Sequence, residues 1–136
     1  QGPSRRPIAE PVAFLAQDTT LNVVQFADAT ILKPLTEGGM QHLFAGARAN
    51  VGVTSGRYMF EVKVVEFFNP PEDQGRGRAQ YRGQQVLKLG FSTSASNLFV
   101  GDTADSIGFD AEGSYLSDGK EKHRVCPRWL ARDVVM

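Results

Sequence analysis

Asn50-Val51-Gly52-Val53-Thr54-Ser55-Gly56-Arg57-Tyr58-Met59-Phe60-Glu61-Val62-Lys63-Val64 decides the fold class. A glycine-bounded turn feeds an alternating run. Phe60, Val62 and Val64 fall on one side, and Glu61 and Lys63 on the other. That period of two predicts a half-buried antiparallel strand.

Similar signals lie on both sides of this stretch. Upstream, Val12 to Leu15 reads as a short edge strand. Leu21 to Phe26 and Thr30 to Leu32 are β-type runs separated by a tight turn at Asp28-Ala29. Thr36 to Gly39 is a loop, and Leu43 to Ala49 reads as the strand before the quoted stretch. Downstream, Leu87, Leu89 and Phe91 alternate with Lys88, Gly90 and Ser92, predicting a strand over 86–93. Asp118-Gly119 is a turn signal. Helical periodicity is absent, apart from room for a single turn within Pro127 to Arg132. The fold class that follows is all-β, an antiparallel sandwich.

Between these runs lies 69–85, with Asn69-Pro70-Pro71, Glu72-Asp73 and Gly75-Arg76-Gly77-Arg78 and no hydrophobic period. Such a length inside a domain is uncommon, so it reads as an insertion in a hairpin. Residues 1–11 carry three prolines and two arginines and read as a flexible leader, with Gln1-Gly2-Pro3 resembling a cleavable-tag remnant. Residues 12–136 form the remainder, a single domain.

Composition narrows the function. Of 136 residues, 41% are hydrophobic and nine are Phe, enough for a real core. Fifteen basic and fifteen acidic residues leave no net charge, so no global field draws the chain to nucleic acid. Cys126 is the single cysteine, which excludes an internal disulfide and favours a reducing compartment, cytoplasmic or nuclear. No apolar run reaches the length of a membrane-spanning helix, and no membrane partner is expected.

Three ordered elements carry a family resemblance: Gly52 to Val62, Val86 to Ser94, and Ser106 to Gly113. Their wording, "GVTSGRYMFEV", "VLKLGFSTS" and "SIGFDAEG", resembles the SPRY (B30.2-like) domains. Those domains usually read G-V-x-S-G-x-x-Y/F-F/W-E-V, x-R-V-G-W-S and S-Y-G-F-D-G-x-G. Phe91 stands where that family usually has Trp. Within the group the wording is closest to the ribonucleoprotein U type and a DEAD-box helicase type. The resemblance implies a jelly-roll sandwich of the concanavalin kind that binds partners through loops at one end. Arg132 to Met136 resembles the family's G-D-V-I-G strand, after which further strands are usual. The expectation is that 12–136 is the N-terminal portion of such a domain. A second chain, strand exchange or further residues would supply the rest.

No constellation points to catalysis. His42 and His123 stand in no nucleophile–base motif, and Cys126 reads as a tolerated thiol between Arg124 and Arg128. Asp102, Asp105, Asp110, Glu112 and Asp118 miss the alternation of a calcium loop and read as turn formers. No glycine motif cradles a phosphate. The expectation is a non-enzyme with no cofactor and no metal.

Protein recognition remains as the leading function: an intracellular adaptor that binds a peptide or loop of a partner protein. Candidate loops are Glu37 to His42, Arg48 to Thr54, 69–85 and Tyr115 to Lys120. Tyr and Arg dominate binding hot spots, which selects Arg48, Tyr81 and Tyr115, joined by Gln41, His42 and Lys120. The alternative is an RNA-associated domain in which Arg76, Arg78 and Arg82 of loop 75–83 contact phosphates. A third reading is structural packing inside a large assembly.

Overall fold

The structure is a computed structural model that describes residues 8–67 and 87–135. In chain order the strands are β1 (Phe14–Thr19), β2 (Val23–Phe26), β3 (Ile31–Pro34), β4 (Ala47–Ala49), β5 (Val62–Lys63), β6 (Lys88–Ser92), β7 (Ser106–Asp110), β8 (Tyr115–Ser117), β9 (Lys120–Lys122) and β10 (Val134–Val135). All their pairings are antiparallel, and one 3-10 turn, Met40–His42, is the sole helical element among the described residues. The all-β antiparallel class predicted from the alternation is the class observed.

The ladders are short: β1 with β4, β2 with β3, and β5 with β10 form two-stranded pairs. The main body is a four-stranded meander in the order β6-β7-β8-β9. β8 and β9 are joined by Asp118-Gly119, both at positive φ (54° and 67°). That is the backbone of a type I′ hairpin, which explains why Asp-Gly stands there. The β2–β3 hairpin matches expectation, with Ala27, Asp28 and Ala29 all left-handed in its turn.

Some boundaries differ. β1 starts two residues later than expected and runs on to Thr19, while only Ala47–Ala49 of the upstream run forms a strand. In the quoted stretch only Val62–Lys63 pairs, against Val135 and Val134. Ser106 to Asp110, the start of the third resemblance element, forms the inner strand β7. Tyr115 to Lys120, expected as a loop, is the β8–β9 hairpin.

Along β7, and at Leu116 of β8, the two sides of the meander differ in burial. In an antiparallel ladder, directly opposed residues share a side. Ser106, Gly108 and Asp110 of β7 are buried, as is Leu116 of β8. Loop 97–105 lies over this side. A Cβ on Gly108 would stand 2.4 Å from Val100 Cγ1 and 2.5 Å from the Leu89 carbonyl oxygen. Ser106 Oγ accepts the Gly101 N–H at 2.8 Å. Leu116 is the buried apolar residue of this side; Ala111 and Trp129 are buried at the end of β7, with the Trp129 N–H donating to the Ala111 carbonyl at 2.9 Å. Val64 is buried separately, between backbone bonds to Asp133 and Arg132.

Candidate functional site

On the other side of the meander Phe91, Ile107 and Phe109 are exposed, and Leu89, Tyr115 and Ser117 are part-buried. The register builds two rows across the strands. One row is Phe91, Ile107, Ser117 and Lys120, and the next is Leu89, Phe109, Tyr115 and Lys122. Phe91, Ile107 and Phe109 are 49%, 43% and 41% exposed. Those values decide the matter for β7: the central strand of a sheet covered on both sides would have Ile107 and Phe109 buried. Each row runs from apolar at β6 to a lysine at β9.

The aromatic members pack on one another. Phe60 meets Phe91 edge to face, with ring centroids 5.0 Å apart. Phe109 and Tyr115 are tilted, with centroids at 5.4 Å. These contacts fix ring positions before any ligand arrives, which lowers the ordering cost of binding. Lys120 has its side chain 85% exposed, and its ammonium lies 3.8 Å from Asp118. Among the described residues Lys122 makes no ion pair.

The six sequence-predicted partner residues scatter. Tyr115 and Lys120 both sit on this face. Gln41 and His42 lie in the 3-10 turn Met40–His42, where His42 is exposed. Tyr81 lies outside the described residues, as do Arg76, Arg78, Arg82 and the whole of 69–85. The grooves lined by Ala16, Thr19 and Val23, and by Lys63, Val65 and Arg132, hold none of the six.

Arg48 has a different position. From β4 its guanidinium pairs with Asp18 of β1. It also donates to the Ser96 carbonyl at 2.6 Å, the Asn97 carbonyl at 3.1 Å and the Ser94 carbonyl at 3.3 Å. Its Nε donates to Ser92 Oγ at 3.2 Å. The side chain is 17% exposed. Arg48 therefore ties the β1–β4 ladder to the segment leaving β6. The stack of Phe44 on Phe99, with centroids at 4.1 Å, joins the same two regions.

Sequence reasoning passed over one polar cluster. His123 Nδ1 lies 3.3 Å from Ser114 Oγ and 3.1 Å from Glu121 Oε1. A nucleophile–base–acid relay needs the hydroxyl and the carboxylate on opposite ring nitrogens. Here both approach the same nitrogen, and Ser114 is buried. The cluster lies at the exposed end of β9 and lacks the geometry to activate a serine. Asp110 is likewise occupied: its Oδ1 accepts the N–H groups of Glu112 at 3.0 Å and Ser114 at 2.8 Å. That is the turn-forming use of an Asp side chain.

Comparison with known proteins places the chain near one kind of relative. It is 32% identical over 88 residues to the human heterogeneous nuclear ribonucleoprotein U-like protein 2. The match to the mouse protein of that name has the same identity and length. The aligned part is 65% of this chain and 11% of each relative, so the chain spans about a tenth of their length. No family model matches the chain, and no solved structure matches it. No helix among the described residues is long and apolar enough to cross a membrane.

Proposed function

We infer that this chain is a non-catalytic, intracellular protein-interaction module of the SPRY kind, which holds a segment of another polypeptide. The apolar face of the β6–β9 meander carries the reading. Ile107 and Phe109 stand exposed on a central strand, flanked by Phe91, Tyr115 and Lys120. Burying such a face yields roughly 25 cal/mol per Å² of apolar area. The rings are already packed, so little of that is lost to ordering. The binding surface is thus a sheet face, with Arg48 acting behind it as a scaffold residue. Similarity to a ribonucleoprotein U-like protein supports a role among nuclear or RNA-associated assemblies, where a packing role between neighbours would use the same face.

A photo-cross-linking phenylalanine analogue tests this reading. Placed at Phe91, it yields nuclease-resistant adducts with protein. Placed at Leu21, fully exposed at 103% in the turn between β1 and β2, it yields none. Equal labelling from both positions refutes the reading.

The ribonucleoprotein similarity also favours a second reading, in which Arg76, Arg78 and Arg82 touch RNA. Replacing all three with Ala then weakens RNA retention and flattens its salt dependence by about 0.7 in log–log slope per lost phosphate contact. An unchanged slope refutes it.

A further inference from the structure

We draw no further inference here: the strongest candidate, the cation-rich strip formed by β9 and the segment that follows it, with Lys120, Lys122, Arg124 and Arg128, carries nothing, because Lys120 and Arg128 already meet Asp118 and Glu112 of this chain and nothing in the structure shows what covers the other two.

Discussion

Replacing Arg48 with Ala is predicted to lower stability by about 3 kcal/mol. Three contributions compose the figure. The half-buried pair with Asp18, whose side chain is 30% exposed, contributes about 1 kcal/mol, more than a surface pair and less than a fully buried one. The short bond to the Ser96 carbonyl and the bond to the Asn97 carbonyl add about 1 kcal/mol each, since charged donors give the stronger hydrogen bonds. The longer contacts to Ser94 and Ser92 are left at zero because water replaces them. Arg48→Lys keeps a point charge near Asp18 but loses the planar fork, and costs about 2 kcal/mol. Asp18→Asn leaves every carbonyl bond in place and costs about 1 kcal/mol. Urea unfolding followed by tryptophan fluorescence of Trp129 measures all three. With a slope of about 2 kcal/mol per molar, the Arg48→Ala midpoint falls by about 1.5 M. A shift below about 0.3 M, or an Asp18→Asn effect as large as Arg48→Ala, refutes the claim that one guanidinium joins the two regions.

Other positions give independent checks by the same unfolding measurement. Gly108→Ala forces a methyl against Val100 and the Leu89 carbonyl, and is expected to cost about 1–3 kcal/mol. Val100→Ala in the same chain should recover part of that loss. Ser106→Ala strands the buried Gly101 N–H and should cost about 1–3 kcal/mol. Gly119→Ala, at φ +67°, places a side chain in left-handed backbone and should cost about 1–2 kcal/mol. Asp118 already tolerates that region, so Asp118→Asn should be within about 0.5 kcal/mol of the parent chain.

Much of the meander is written in local pattern. Leu89 and Phe91 alternate, Asp118-Gly119 has the chemistry of a two-residue hairpin, and both are found as expected. What local pattern hides is which side of an alternating strand gets covered. In β7 the residues that go inside are Ser106, Gly108 and Asp110, and those that stay outside are Ile107 and Phe109. Hydrophobicity alone assigns the opposite. At Ser106 and Gly108 the reason is the loop carrying Val100 and Gly101, which lies too close for a larger side chain; Asp110 is held by its bonds to the Glu112 and Ser114 N–H groups. Arg48 shows a second limit. Its partners lie 30 residues before it and up to 49 after it, so nothing near it in sequence marks it as a tie rather than a contact residue. Tyr115 and Lys120 were legible as surface candidates. Their shared side, and its continuity with Phe91 and Phe109, follow only from register. The Phe60 to Val64 alternation is real, yet only Val62 and Lys63 find a partner strand.

Hydroxyl-radical footprinting of the chain, alone and with the protein that the Phe91 cross-link captures, tests the central claim most directly. The account predicts that Phe91, Phe109 and Tyr115 are oxidised in the chain alone and protected when that protein is added. The exposed Met40, outside the face, should stay equally reactive in both. Aromatics already protected in the chain alone, or left as reactive with that protein as without it, would contradict the assignment of this face as the binding surface.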